Sequence, residues 1–447
     1  MKNMENEKDM KYTIVNCTII TVDEEDHYWP DGTMVVENGR IKKIGDRNSI
    51  KPEGTLIDMG GRLVMPGLIN THTHSHSSLF RSLGDDMELM DWLHNAMWPA
   101  ENYMDHDIAY AAARMSCLEY MRGGITTYAD QFYFAEVVAR AARESGLRCF
   151  LAPSVFTKGT AETDDTFAAA EQFIKGWKGR EEETKVYPCI GPHAPYSVDE
   201  GLFHKVNRIA DEYDLIVHIH ISETMDENRQ IMEEHQMSPT AWLESMGVLD
   251  HRVLAAHSIH LSEQDMELYA KYGVHASYNP VSNLKLVSGI MPIKEMKAAG
   301  IQISIGTDGS NSNNSMDLLG DLKTGALIQK MKYRDATFLP AKEAVRMATI
   351  EGAKALYIDG ETGSLEEGKR ADFISLDTAS PRLAPLYRNS VDKIYATVVY
   401  SACGADVRDT VVDGEWVVKN GEVLSMDEAL VLGQAREAGE KLAAHVF

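Results

Sequence analysis

Positive charge is scarce in this chain: 44 Lys and Arg face 68 Asp and Glu, a net charge of −24 over 447 residues. So acidic a surface repels phosphate backbones and anionic headgroups, which argues against nucleic-acid and membrane-surface binding. Cysteine is sparse as well. Cys17, Cys117, Cys149, Cys189 and Cys403 lie far apart and form no CxxC pair. A disulfide framework is thereby excluded, and reduced thiols in a cytoplasmic protein are expected. No apolar run reaches the ~20 residues of a membrane span. Met1–Asp9 likewise has no apolar core of the kind a signal peptide needs. What is present is globular: 44% hydrophobic and 25% charged residues with 14 prolines, which rules out disordered, collagen-like and coiled-coil chains. The length allows several domains, or one large α/β barrel with an added piece.

Both ends of the chain carry strand and hairpin signals. Met34-Val35-Val36-Glu37 and Arg40-Ile41-Lys42-Lys43-Ile44 flank Asn38-Gly39, a pair that tolerates the positive φ of a tight hairpin. Near the far end, Asp413-Gly414 and Asn420-Gly421 punctuate similar runs. One small β domain built from both termini is expected. Between them, apolar runs alternate with helical stretches: Leu63 through Ile69, Ile125–Tyr128, Cys149–Leu151, Val186–Ile190, Leu215–Ile219, Val253–Ala256, Val274–Ser277 and Ile301–Ile305. Asp105 or Asp107, Ser238-Pro239 and Ser262-Glu263-Gln264-Asp265 read as helix starts, and Pro340 opens a helix to about Tyr357. Eight strands alternating with helices match a (β/α)8 TIM barrel, with a doubly wound sheet as the alternative. The predicted division is 1–64 and 371–425 for a composite β-sandwich, 65–370 for the barrel, and 426–447 for a C-terminal helix.

Four strand ends carry polar groups suited to chemistry. The first is Asn70-Thr71-His72-Thr73-His74-Ser75-His76, where alternation along an extended chain presents His72 and His74 on one face and His76 continues the row. The second is Val217-His218-Ile219-His220-Ile221-Ser222-Glu223. His218 lies inside the run, where it could be a core histidine, and His220 sits at the exit with Glu223 three residues on. The third is Ala255-Ala256-His257-Ser258-Ile259-His260, in which His257 follows the apolar run directly and is preferred over His260. The fourth is Ile305-Gly306-Thr307-Asp308-Gly309. Each alone could be structural; together they match barrel loops converging on one site at the C-terminal face. Imidazoles with one carboxylate suit zinc and tolerate ferrous iron or manganese.

These residues, with Pro66-Gly67-Leu68-Ile69 ahead of the histidines and Gly363-Ser364-Leu365-Glu366-Glu367-Gly368-Lys369-Arg370-Ala371-Asp372 near the end, resemble the amidohydrolase superfamily. The chain is most similar there to the 5′-methylthioadenosine/S-adenosylhomocysteine deaminases. Trp92-Leu93, Trp98-Pro99-Ala100-Glu101, Gly191-Pro192-His193-Ala194-Pro195-Tyr196-Ser197 and Asn279-Pro280-Val281-Ser282-Asn283-Leu284-Lys285-Leu286 carry that similarity. The resemblance implies one divalent metal, Zn2+ before Fe2+ or Mn2+, held by His72, His74, His220 and Asp308. It also implies that Glu101 grips the ribose hydroxyls and that His193 contacts the substrate. Two features depart from the pattern. No arginine occurs in Leu151–Gly159, where homocysteinyl-binding members have them, although Lys158 stands there. Gln131 replaces a frequent methionine, as it does in triazine hydrolases.

The expected reaction is hydrolytic deamination of a 5′-substituted adenosine to its hypoxanthine counterpart. Asp308 would take a proton from the attacking water, Glu223 would protonate ring N1, and His257 would steady the oxygen as C6 becomes tetrahedral. The rival within the same chemistry is another amino- or chloro-substituted ring: a triazine, pterin or guanine. The rival outside it is a binding protein without catalysis. The expected partner is a small nucleoside, with no nucleic acid and no membrane; self-association into a homo-oligomer follows by family analogy alone.

Overall fold

The turn signals shape the terminal sheet. Asn38 and Gly39 adopt φ of 52° and 77°, and Asp413 and Gly414 adopt 50° and 75°, the left-handed values that tight hairpins require. The structure, a computed structural model, describes residues 11–87, 93–132, 134–157 and 166–446. Trp92 and Lys158 lie outside the described residues. The N-terminal part of the sheet contributes β1 (Lys11–Ile20), β2 (Tyr28–Glu37), β3 (Arg40–Asp46), β4 (Thr55–Asp58) and β5 (Leu63–Pro66).

The barrel follows with β6 (Leu68–His74), β7 (Ile125–Gln131), β8 (Arg148–Ala152), β9 (Ser154–Val155), β10 (Val186–Pro188) and β11 (Gly191–Pro192). It continues with β12 (Ile216–Ile221), β13 (Arg252–His257), β14 (His275–Tyr278), β15 (Ile303–Ile305) and β16 (Asp308–Gly309). The chain then returns to the terminal sheet with β17 (Phe373–Leu376), β18 (Val407–Val412), β19 (Glu415–Lys419) and β20 (Glu422–Val423).

The terminal strands bond as one nine-stranded sheet in the order β20-β19-β18-β17-β5-β1-β2-β3, with β4 beside β1. It curls until its ends face each other. Tyr12 on β1 donates its hydroxyl to Gly414 O at 2.9 Å, and its ring lies 6.0 Å from that of Trp416 on β19. Ile14, Met34, Val36, Val64, Phe373 and Val411 fill the interior of the curl. The composite β domain of both termini is therefore present as two layers of one bent sheet.

The barrel closes through parallel pairing. β10-β8-β7-β6-β16 form one run and β12-β13-β14-β15 the other. An Ile190–Val217 bridge joins them on one side, and β15 continues into β16 on the other. Side chains such as Ile69, Ala129, Phe150, Ile216 and Leu254 pack the inside, so this is a filled barrel. The doubly wound alternative is excluded.

Two local expectations change. The run from Leu63 through Ile69 is two strands: Met65 pairs with Ile374 in the terminal sheet, and the barrel begins at Leu68. The chain crosses over at Gly67, where an added Cβ would come within 2.2 Å of Thr126. The helix expected from Pro340 to Tyr357 is split into Ala341–Met347 and Ile350–Ala355, which frees Ala348 O to accept from Ile69 N at 2.8 Å. Between β17 and β18, Val391–Tyr400 is a helix despite its β-branched residues, burying Ile394, Tyr395, Val398 and Val399 along one side. The expected C-terminal helix spans Glu428–Val446. Among the described residues no helix is long and apolar enough to cross a membrane.

Candidate active site

The sequence pattern delivers its polar groups to one end of the barrel. Along β6, Thr73 turns outward to Tyr120 at 2.8 Å, while His72 and His74 turn inward. Their Nε2 atoms each lie 3.3 Å from Asp308 Oδ1, and His220 Nε2 lies 3.4 Å from His74 Nε2. Ligand atoms of His72, His74 and His220 fall within 4.8 Å of one another, as do those of His72, His257 and Asp308.

Close backbone approach makes this convergence feasible. A Cβ on Gly306 would sit 2.8 Å from both His72 N and His72 O, so only glycine lets the eighth strand close on the first. Asp308 and His257 take φ of 62° and 69°, left-handed values that a non-glycine residue adopts at a cost. These turns aim both side chains across the barrel mouth.

The other ring nitrogens are tied down. His74 Nδ1 lies 2.8 Å from Gln131 O, and His220 Nδ1 lies 2.7 Å from His193 O. Carbonyl oxygens accept only, so both Nδ1 atoms carry protons and both Nε2 atoms face the centre. His72 Nδ1 is 2.8 Å from His218 Nε2, which leaves His72 Nε2 as a buried polar atom without a hydrogen-bond partner. An orphaned lone pair beside two oriented imidazoles and a carboxylate is what a divalent cation needs.

Burial holds His72 down to about 3 and His220 well below its ordinary value, so both rings are neutral donors. Burial also opposes charge on His74, but the Asp308 carboxylate outweighs it and lifts that ring to about 9. Asp308 is held well below the usual carboxylate range because His72 and His74 overcome its burial. A cation between them would take over the role of the His74 proton.

Glu223 and His257 face each other beside the cluster, with Oε2 and Nε2 3.7 Å apart. Glu101, on the helix Trp98–Tyr103, has its carboxyl pushed up to about 7 by burial, with His74 opposing the shift. His193 is held at about 4 by burial, and its Nδ1 lies 2.8 Å from Ser197 Oγ. The structure thus brings His72, His74, His220, His257, Asp308 and Glu223 together, with the His193 ring 5.0 Å from that of His220 and Glu101 within electrostatic reach of His74, and it sets two of the other histidines apart. His76 leaves the row where the chain enters the turn Ser75–Phe80, and its ring stacks on Phe132 at 3.3 Å. His260 is tied to Ser288 O at 2.7 Å, outside the cluster.

Several supporting groups escaped sequence reasoning. Ser282 and Ser312 donate to Asp308 Oδ2 at 2.6 and 2.8 Å, and Ser288 donates to Glu223 Oε1 at 3.1 Å. Glu227 accepts from Ser222 N and Glu223 N, each at 2.8 Å. The Gln131 amide donates to His218 O at 3.2 Å, so this departure from the family pattern supports the barrel wall. Nothing in a polar Ser or Asn marks such a role until its partner is known.

Comparison with known proteins agrees with this geometry. A model of the amidohydrolase family matches residues 63–417. The chain is 39% identical over 439 residues to a 5-methylthioadenosine/S-adenosylhomocysteine deaminase of Desulforudis audaxviator, covering 97% of this chain and 99% of that one. It is 37% identical over 412 residues to a 5′-deoxyadenosine deaminase of Methanothermobacter thermautotrophicus, covering 92% of this chain and 95% of the relative. A zinc-bound adenosine deaminase from Xanthomonas campestris superposes with a TM-score of 0.91 at 29% identity, covering 97% of this chain and 98% of that one. The fold, the convergent histidines and these relatives agree: the chain belongs to the amidohydrolase family.

Proposed function

We propose that the protein is a metal-dependent hydrolytic deaminase that converts the adenine of a 5′-substituted adenosine to hypoxanthine and releases ammonia. The observation that carries this reading is the Glu223–His257 pair, 3.7 Å apart, facing the cluster of His72, His74, His220 and Asp308. An acid and a hydrogen-bonding ring opposite a cation site are the parts that C–N hydrolysis of an aminopurine requires. His72, His74, His220 and Asp308 would hold the ion, with zinc the best match to their donors and ferrous iron or manganese next. When bound, such an ion supplies the Lewis acidity that makes water a nucleophile near neutral pH.

The chain's own groups supply the rest. Asp308 accepts the proton of the attacking water. Glu223 delivers a proton to ring N1, which makes C6 a better electrophile. His257 donates a hydrogen bond to the oxygen joining C6, and the amino group leaves as ammonia after receiving a proton through Glu223 or Asp308. Glu101 accepts from the two ribose hydroxyls, and His193 offers a neutral ring to the substrate. Leu151–Thr157 offers no guanidinium, which favours a 5′-deoxy or 5′-methylthio group over a homocysteinyl group. Five free cysteines, four of them buried, suit a reducing cytoplasm.

The test is to incubate zinc-loaded protein with methylthioadenosine, 5′-deoxyadenosine, adenosylhomocysteine and adenosine, following loss of the adenine absorbance. Turnover of none of them would overturn the nucleoside assignment. Glu223→Gln is expected to lower kcat far more than zinc content; equal loss of both would make Glu223 structural. Glu101→Ala is expected to damage only substrates that carry a ribose.

A further inference from the structure

The segment from Asn279 to Ser288 touches three groups of the proposed machinery at once. Ser282 reaches Asp308 and Ser288 reaches Glu223. Two side-chain amides meet the third: Asn279 Nδ2 lies 3.4 Å from His257 Nδ1, and Asn283 Nδ2 lies 3.2 Å from the same atom. His257 is buried, as are both asparagines. The short helix Pro280–Lys285 sets the spacing, since residues four apart lie on one face and Asn279 caps what Asn283 continues.

An amide N–H only donates, so a ring nitrogen facing two of them must be an acceptor. Ser277 Oγ lies 2.8 Å from Thr71 Oγ1 and 3.5 Å from Asn279 Oδ1; with Thr71 donating to Ser277, the Ser277 proton goes to Asn279 Oδ1 and the Nδ2 end stays towards His257. Turning Asn283 over would set its Oδ1 against a nitrogen that Asn279 already requires to be bare. The shared acceptor places the ring proton on Nε2, the atom 3.7 Å from Glu223 Oε2.

We propose that Asn279 and Asn283 are positioning residues that keep His257 Nδ1 an acceptor and so present its Nε2 as the hydrogen-bond donor. The arrangement also decides between the two overlapping cation sets. A nitrogen that carries a proton has no lone pair for a metal, so His257 is withheld from coordination while His72, His74 and His220 keep theirs free. The N–H instead points at Glu223 and at the place where oxygen joins the substrate. Only the kinetic consequence of the proposal rests on the deaminase reading.

The experiment is a long-range proton–nitrogen NMR spectrum of zinc-loaded protein labelled with 15N-histidine, with His257→Gln used to assign the ring. The expected result is an unprotonated Nδ1 and a protonated Nε2; a protonated Nδ1 overturns the proposal. Two variants extend the test. Asn283→Asp is nearly isosteric but accepts where Asn donates, so it is expected to draw a proton onto Nδ1. Its kcat should fall about 100-fold or more with KM within about threefold, because a misplaced ring proton disables a positioned histidine. Asn283→Ala leaves the Asn279 donor in place and is expected to keep the wild-type spectrum and lose only about tenfold. A purely packing role predicts the opposite order, with the isostere the milder change, and that order would refute the assignment. If Asn283→Asp does not fold, the wild-type spectrum and the alanine variant still decide. If no nucleoside is turned over while Nε2 carries the proton, the deaminase reading fails and the positioning role stands.

Discussion

His218 Nε2 lies 2.8 Å from His72 Nδ1, so a histidine inside the barrel wall holds the ring at the floor of the site. Burial holds His218 well below its ordinary value, which makes it a neutral acceptor for the His72 N–H. His218→Phe removes that acceptor and leaves a buried donor unpaired. Zinc affinity, measured by competition with a chelator, is expected to fall about 10- to 100-fold. Saturating zinc should restore most of kcat, since His218 touches no substrate. Unchanged affinity would return His218 to a packing role.

How much of this was legible depended on the range of the cause. His72, His74, His220 and Asp308 stand at strand exits, and period-two alternation marks them locally. The split at Gly67 did not show, because Leu63–Pro66 and Leu68–His74 are both apolar and only the opposing Thr126 reveals the crossing. The break between Met347 and Ile350 serves a hydrogen bond to Ile69, nearly three hundred positions away in sequence. The helix Val391–Tyr400 follows from packing of one face, which overrides β-branched propensity. Ser282 and Asn283 enter the sequence reading only within the motif that carries the resemblance, and Glu227 not at all, because their roles exist only relative to His257, Asp308 and Glu223.

Glu101 should make nucleoside binding depend on pH. Burial raises its carboxyl from 4.5 to about 7, and only the ionised form accepts from both ribose hydroxyls. KM for a nucleoside is therefore expected to rise as pH falls from about 8 to about 6, approaching tenfold per unit below the pKa. Glu101→Gln should bind more weakly at every pH and lose this dependence. The stability linked to the same group runs the other way. The folded chain keeps a proton that the unfolded chain releases near 4.5, so this contribution is present at low pH and is lost as pH rises through about 7. A wild-type KM flat across this range would remove Glu101 from the ribose.

Arg148 joins the barrel to the terminal sheet. It is buried at the start of β8, bonds Asp372, and reaches Asp413 Oδ1 at 2.7 Å and Thr127 Oγ1 at 3.1 Å. Asp372 also accepts from Thr362 Oγ1 at 2.8 Å and from Asp413 N at 2.7 Å, so every member of the cluster is satisfied. Arg148→Met leaves a buried carboxylate unpaired and is expected to cost about 3–5 kcal/mol by urea denaturation. The cluster sits at the end of the barrel away from the site, so kcat of the folded fraction should stay within about twofold. Adding Asp372→Asn should recover part of the lost stability. A cost below about 1 kcal/mol for the single variant would mean that water replaces the guanidinium.

Glu227 governs where Glu223 points. Its two carboxylate oxygens take the backbone N–H groups of Ser222 and Glu223, each at 2.8 Å, across a turn in which Ser222 has φ of 51°. Thr224 in turn caps Glu227 N at 3.1 Å, so the acid loop is tied to the first turn of the helix Met225–His235. Burial pushes the Glu227 carboxyl up to about 8 against those two donors. Glu227→Gln sets an amide N–H against a backbone N–H, losing one bond and stranding a donor at a cost of about 1–3 kcal/mol. With its backbone released, Glu223 no longer sits in register with ring N1, and kcat should fall about tenfold while KM and zinc content stay near wild type. A parallel loss of zinc would show instead that Glu227 holds the end of β12, and with it His220.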